Sequence, residues 1–266
     1  MDFLTPDPTA IVPGALLVWV ALVCAFTLLW LASLPLKNAS IVDMWWGPAF
    51  VVAAIVYGLV RPAWTPRAFL VIVLVALWAL RLAWHIGRRN VGHGEDPRYA
   101  AWRVQHGASW WWFSWVKVFL LQATVAWMVS WPLGAALTAA PAFPSAWDVA
   151  GAAIVLGGLA VEALADAQLR RFKGTAARGE LCDVGLWRYS RHPNYFGESV
   201  VWWGLFTIAA GVPSGWMTLV SPLLITWLLL RVSGVTLLEQ GLAVSKPGYA
   251  DYVRRTSAFV PWPPRR

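Results

Sequence analysis

Charged side chains are scarce. Asp, Glu, Lys and Arg make up 13% of the 266 residues, against 59% hydrophobic ones. Soluble domains carry about 25% charged and about 45–50% apolar residues. The composition therefore excludes an ordinary water-soluble globule and a disordered chain. Cysteine is nearly absent. Cys24 lies in an apolar run and Cys182 in a polar stretch, which excludes a disulfide-stapled secreted scaffold. The 4 histidines are scattered at no ligand spacing, so no metal centre is expected. Acidic residues are the rarer sign, 13 against 21 Lys and Arg, for a net charge of +8. Such an excess can serve nucleic acid, but its distribution assigns it elsewhere, and no nucleic-acid partner is expected.

Tryptophan and long apolar runs are abundant. There are 21 Trp, and the mean hydropathy is +0.58. Tryptophan favours the membrane–water boundary, where its ring meets lipid and its N–H stays wet. A membrane-crossing helix needs about 20 mostly apolar residues. Seven runs come near this length: 11–34, 42–60, 69–86, 111–137, 147–165, 195–210 and 215–238. Residues 1–10 hold Asp2 and Asp7 and no basic residue, so the first run reads as a retained helix rather than a cleaved signal.

With the amino terminus outside, 16 of the 21 Lys and Arg residues fall in cytoplasmic segments. The outer segments hold Arg61 and Arg67 only. This bias predicts an all-α, polytopic membrane protein of seven transmembrane helices, with its carboxyl terminus in the cytoplasm. The lipid bilayer, rather than nucleic acid, is then the partner of the basic residues. One integral membrane domain over 1–266 is expected. Residues 1–137 would mainly form a substrate pocket, and 147–266 a cofactor site.

Ionisable groups inside spans are costly and mark polar cavities. Glu162, Asp166 and Arg170 recur every four residues and share one face of the fifth helix. They form either an intrahelical ladder or the wall of a cofactor cleft, with Arg171 and Lys173 just beyond. The densest polar stretch runs from Leu181 to Glu198. Pro193 suits a helix's first turn, so the residues before it flank a helix N-terminus, where an anion is favoured. Arg188 and Arg191 could hold phosphates there, beside Tyr189, His192 and Tyr195. Asn194 and Glu198 are four apart and point into the span together. Arg231 in the seventh span and Glu239 two turns later can face the same cavity. The basic tail from Lys246 to Arg255 could instead meet anionic headgroups.

In the first half, Asp43 opens the second span beside Trp45 and Trp46. It is either an N-cap or a group lining a cavity whose flat wall the two Trp supply. Arg81 and His85 are four apart on the third helix, where His85 is either a packed core residue or a catalyst. Gly92-His-Gly94 is too short for a phosphate fingerprint.

Three stretches resemble the bacterial membrane branch of the steroid 5-alpha-reductase family: Asp43-Met-Trp-Trp-Gly; Leu186-Trp-Arg188-Tyr-Ser-Arg191-His192-Pro-Asn194-Tyr195-Phe-Gly197-Glu198; and the tail from Leu238 to Tyr252. The Arg-His-Pro-x-Tyr-x-Gly-Glu block is similar, more distantly, to isoprenylcysteine carboxyl methyltransferases. The resemblance implies seven helices, a cytosol-facing NADPH site in the carboxy-terminal half, and reduction of the C4–C5 double bond of 3-oxo-Δ4 steroids. It places Asn194, Glu198 and Asp166 on the family's cofactor-binding Asn, Glu and Asp. Glu162 falls where relatives carry a polar Asn, and Arg231 on an Arg near the end of the last helix. Animal members grip the steroid ketone with a Glu of the second helix and a Tyr of the third. Those places fall near Asp43 and Met44, and at Trp78, which cannot protonate an enolate.

The expectation is an inner-membrane NADPH-dependent reductase of a lipophilic, steroid-like enone, working from the cytoplasmic side. Trp45, Trp46 and Trp78 would contact the substrate. The donor to the carbonyl oxygen would be a protonated Asp43 or His85, with Tyr57 next in line. The rivals are an S-adenosylmethionine-dependent membrane methyltransferase and a lipid-binding or transport protein.

Overall fold

A computed structural model describes residues 12–60, 64–138, 143–175, 180–232 and 234–265. Arg61 and, among the basic residues counted as cytoplasmic, Arg178 and Arg266 lie outside the described residues. Among those described, 81% are helical and no strand forms. Five helices are long and apolar enough to cross a membrane: Gly14–Leu36, Ile41–Val60, Pro66–Asn90, Pro97–Val129 and Ala146–Thr175. They make the chain a multi-pass membrane protein. The chain divides into two compact units, the first Met1–Asp148 with Ile208–Thr218, the second Val149–Thr207 with Leu219–Arg266.

Unit 1 is built on α1 (Val12–Leu36), α2 (Ile41–Val60) and α3 (Pro66–Asn90). The Thr65 side chain accepts from Ala68 N, and Pro66 occupies the first turn of α3. Phe69, Val73, Leu77, Leu80 and Trp84 form an exposed apolar stripe on α3, three or four residues apart. Val71, Leu74, Val75, Trp78 and Leu82 are buried on another face. Apolar exposure of this kind is what a helix facing lipid needs. Gly47 lets α2 touch the α3 backbone: a Cβ there would stand 2.8 Å from Ala79 O.

The charge count places Arg67 in an outer segment. Instead it is buried on α3, its Nε and Nη2 donating to Asp148 at 2.6 and 2.7 Å. Ser145 N and Oγ donate to the same carboxylate at 2.8 Å each. A guanidinium buried this deeply needs a paired carboxylate, so Arg67 is no free topogenic charge.

The fourth span begins earlier than the apolar run. It starts at α4 (Pro97–His106), continues through α5 (Trp110–Ser114), a wide π turn (Trp115–Leu120) and α6 (Leu121–Val129), and is followed by α7 (Trp131–Thr138). The cause is Asp96-Pro97. Asp96 Oδ1 caps the helix, accepting from Arg98 N at 3.0 Å, and Pro97 suits the first turn. A charged stretch that reads as a loop therefore coils.

Unit 2 takes most of α8 (Ala146–Thr175) and of α9 (Pro193–Ala210), then α10 (Val220–Arg231), α11 (Val235–Ser245) and α12 (Tyr249–Arg255). Glycines bring α8 and α9 backbone to backbone. A Cβ on Gly158 would lie 2.7 Å from Gly197 O, one on Gly197 2.7 Å from Glu162 N, and one on Gly204 2.7 Å from Val155 N. Small residues at such crossings let helices approach closely. The 180–192 segment folds back on α8. Trp187 Nε1 donates to Ala165 O at 2.9 Å, and Gln168 Oε1 accepts from Leu186 N at 2.9 Å.

The expected sixth span matches α9, which is 18 residues long and is not one of the five helices above. The expected seventh span is interrupted between α10 and α11. A Cβ on Gly234 would lie 2.2 Å from Leu229 O, so the backbone folds too tightly there for a continuous helix. Arg231 ends α10 and is exposed, whereas Glu239 sits on α11. They do not share the helix face that an unbroken span would give them.

Candidate functional site

In unit 1 the polar residues gather around the start of α2. Asp43 Oδ1 accepts from the Tyr99 hydroxyl at 2.8 Å, and Oδ2 from Arg98 Nη2 at 3.2 Å. The Arg98 guanidinium lies 5.5 Å from the centroid of the Tyr99 ring. Asp96 also holds Arg98, and Ser40 Oγ accepts from Asp96 N at 2.6 Å. Glu95 accepts from Ala39 N at 2.7 Å and pairs with Arg103 at 2.8 Å. Arg98 works against the burial that would raise the Asp96 carboxyl, and holds it below its ordinary range.

Asp43 accepts from a guanidinium on one oxygen and from a phenol on the other, so in this geometry it is the acceptor. The hydroxyl of Tyr99 is the neutral donor of the pair. In sequence, Tyr99 ends the polar stretch from Arg88 that follows the third apolar run. The Asp96-Pro97 start signal was there, and it places Tyr99 on the first turn of a helix.

The other residues named for this half fall in different places. His85 is half-buried on α3. Tyr57 is buried about 21 Å along α2 from Asp43, at 1.5 Å per residue, and faces Gly134, whose Cβ would lie 2.7 Å from its ring. It is a core residue. Trp46 meets Phe50 edge-on at 5.3 Å, and Phe50 meets Trp78 at 5.5 Å. Trp78 is fully buried, so it backs this aromatic row rather than lining open space. Trp45 is half-buried, with a buried indole N–H that has no partner.

In unit 2, the glycine crossing aligns the polar faces of α8 and α9. Glu162, Asp166 and Glu198 are all buried. Asn194 Nδ2 donates to Asp166 Oδ1 at 3.3 Å. Asn194 Oδ1 is buried and has no hydrogen-bond partner. A buried acceptor left open costs about 1–3 kcal/mol, and it is the place where an incoming donor gains most. Arg170, Arg171 and Lys173 are exposed at the end of α8, so the expected face divides into a buried acidic part and a solvated basic end.

Arg191 is not an open phosphate ligand. Its Nε and Nη2 donate to Glu239 at 2.8 and 3.2 Å, and Nη1 donates to the carbonyls of Thr256 and Val253 at 2.5 and 3.3 Å. His192 Nε2 lies 3.1 Å from Glu239, and its ring stacks on Tyr195 with centroids 5.7 Å apart. Burial pushes His192 below its ordinary pKa, so the neutral ring donates Nε2–H to the carboxylate. Burial alone would raise Glu239, but Arg191 and then His192 hold it below its ordinary value. The cluster is a structural brace for the tail. Tyr189 is exposed, and its carbonyl accepts from Trp262 N at 3.0 Å. Arg188 remains exposed.

The chain is 28% identical over 267 aligned positions to a protein of Schizosaccharomyces pombe described as uncharacterized, covering 88% of this chain and 75% of that relative. No solved structure matches it. Residues 29–256 match a family model described as "Protein of unknown function (DUF1295)". That match spans most of the chain, including both polar clusters, and the protein belongs to the DUF1295 family.

Proposed function

We propose that the protein is a membrane-embedded, NADPH-dependent reductase of a lipophilic enone, with 3-oxo-Δ4 steroids as the substrate class to test. The observation that carries this reading is the Tyr99 hydroxyl held 2.8 Å from the Asp43 carboxylate. Reducing an enone builds negative charge on its carbonyl oxygen, and a donor aimed at that oxygen lowers the barrier. Methyl transfer has no use for such a donor. Further support comes from the family, which includes steroid 5-alpha-reductase-like membrane proteins. In this reading α9 and the Gly215–Arg231 segment complete seven passes, with the amino terminus outside and the carboxyl terminus in the cytoplasm.

The residues of unit 2 fit a dinucleotide. The open Asn194 Oδ1 offers an acceptor to a carboxamide or ribose donor. The buried Asp166, Glu162 and Glu198 suit hydroxyl donors of the same ligand. NADPH, when bound, supplies the hydride that adds to the β-carbon of the enone. Tyr99 gives its proton to the carbonyl oxygen as charge develops there. Asp43 holds that hydroxyl in place, and the Arg98 guanidinium, 5.5 Å from the ring centroid, supplies a positive charge beside the pair. Trp46, in its edge-on row with Phe50 and Trp78, offers the substrate a flat apolar wall.

The test is purified protein in detergent with NADPH and progesterone, followed by mass spectrometry of the product. The reading expects a product heavier by two hydrogens, formed only with the reduced cofactor. Binding of S-adenosylmethionine, with no reduction, would transfer the assignment to the methyltransferases.

A further inference from the structure

The tail of unit 2 builds two adjoining cavities that the reductase reading has not used. Residues 257–265 are strapped along the 187–191 segment. Arg191 N donates to Ser257 O at 2.8 Å, Ser190 Oγ to Phe259 O at 2.7 Å, and Trp262 N to Tyr189 O at 3.0 Å. Arg265 N closes the strap on Arg255 O at 2.9 Å. One cavity, of about 480 Å³, is lined by Asp183, Arg188, Arg255, Thr256, Pro264 and Arg265. The second, of about 260 Å³, shares Arg255, Thr256 and Arg265, and adds Trp262 with Pro263 and Val253 as an apolar wall.

The charges do not balance within the first cavity. Three guanidinia line it against one carboxylate, and that carboxylate, Asp183, is 3.8 Å from Arg255. Among the described residues, Arg188 and Arg265 have no carboxylate partner. Like charges held around one space repel, and an anion placed there relieves them. Guanidinia are the side chains that match phosphate oxygens in a planar, paired fashion. Beside them stands the exposed Trp262 ring, 67% open, a surface on which a purine base can stack. Phosphate recognition next to an aromatic platform suits an adenosine phosphate.

We infer that these joined cavities hold the adenosine-phosphate end of the nucleotide, with the phosphate among Arg188, Arg255 and Arg265 and the base on Trp262. The inference rests on the reductase reading for its choice of ligand. It gives the chain a reason to prefer NADPH over NADH, because the additional phosphate is what the three guanidinia recognise.

The probe is adenosine 2′,5′-bisphosphate, titrated calorimetrically into the full-length protein in detergent, beside NADPH and NADH. Arg265→Gln and Arg188→Gln should each weaken the bisphosphate and NADPH about tenfold to a hundredfold and leave NADH nearly unchanged. Trp262→Ala should weaken all three about tenfold. All three side chains are exposed, and a melting curve for each variant verifies its fold. Unchanged bisphosphate affinity in both Arg variants overturns the inference, as does a wild type that binds NADPH but not the bisphosphate. Loss of anionic-lipid retention in nanodiscs, with the bisphosphate bound as before, also overturns it and makes the cavity a headgroup site. A wild type that binds the bisphosphate but reduces no enone defeats the reductase reading alone.

Discussion

The ion-paired groups of unit 1 and the polar clusters of unit 2 differ in what they leave open. In unit 1 the groups close on one another: Arg67 on Asp148, Arg103 on Glu95, and Arg98 with Tyr99 on Asp43. In unit 2 the braced trio of Arg191, His192 and Glu239 is closed too, but beside it stand an unpartnered Asn194 oxygen and a cavity with surplus guanidinia. Closed pairs fix geometry and set the state of a single group such as the Tyr99 hydroxyl. Open groups are where a ligand contributes the missing partner. In the proposed reading, carbonyl polarisation falls to unit 1 and nucleotide recognition to unit 2.

The largest effect should come from opening a closed pair. Arg67→Ala leaves the Asp148 carboxylate buried and unpaired, which typically costs about 3–5 kcal/mol. Thermal melting should show the loss, while NADPH affinity per folded molecule stays the same. A change in affinity without a change in melting would break the assignment of this pair to structure. Next is Tyr99→Phe, which removes the donor to the developing oxyanion. Turnover on the steroid should fall roughly 10²–10³-fold, with NADPH binding intact. Asn194→Ala should do the reverse, weakening NADPH about tenfold to a hundredfold while the melting curve barely moves. Asp43→Asn sharpens the first half of the comparison. Its amide oxygen can still accept from Tyr99, so turnover should fall by roughly tenfold or less. A loss as deep as that of Tyr99→Phe would return the donor role to Asp43.

The smallest effect is one of pH. His192 has a folded pKa below its ordinary 6.5, so the unfolded chain binds more protons than the folded one as pH drops below that value. The stabilisation is complete above about 6.5 and is lost on acidification. Glu239, also lowered, continues the loss below its ordinary 4.5. Melting temperature should therefore fall as pH falls from neutrality, and His192→Asn should flatten the upper part of that slope. A melting temperature that rises on acidification would remove the neutral-His brace.

Much of this was legible in the sequence where one residue determines one local outcome. Apolar run length predicted seven spans, five of which match helices long and apolar enough to cross a membrane, and the four-residue spacing placed Glu162 with Asp166 on α8 and Asn194 with Glu198 on α9. What was not legible depended on partners distant in the chain. Arg67 counts as a surface charge until Asp148 is brought to it. Arg191 reads as a phosphate ligand until the tail carbonyls and Glu239 take up its donors. Gly234 looks like one more small residue in an apolar span, yet the tight turn it permits separates Arg231 from Glu239. Tyr99 is hidden among the charged residues of 88–99 until the Asp96-Pro97 helix start places it on α4. The Trp262 and Arg265 strap needed the backbone of Tyr189 and Arg255 to show what it encloses.

The most direct test of the central claim is hydride tracing in one reaction mixture. Wild-type protein and Tyr99→Phe are each given progesterone and NADPH deuterated at the transferable nicotinamide hydrogen, and the product is read by mass spectrometry. The account predicts one deuterium on the β-carbon with wild type, and little product with Tyr99→Phe despite wild-type NADPH binding. Full label transfer by Tyr99→Phe would contradict the assigned donor, and no transfer by a wild type that binds S-adenosylmethionine instead would contradict the reductase itself.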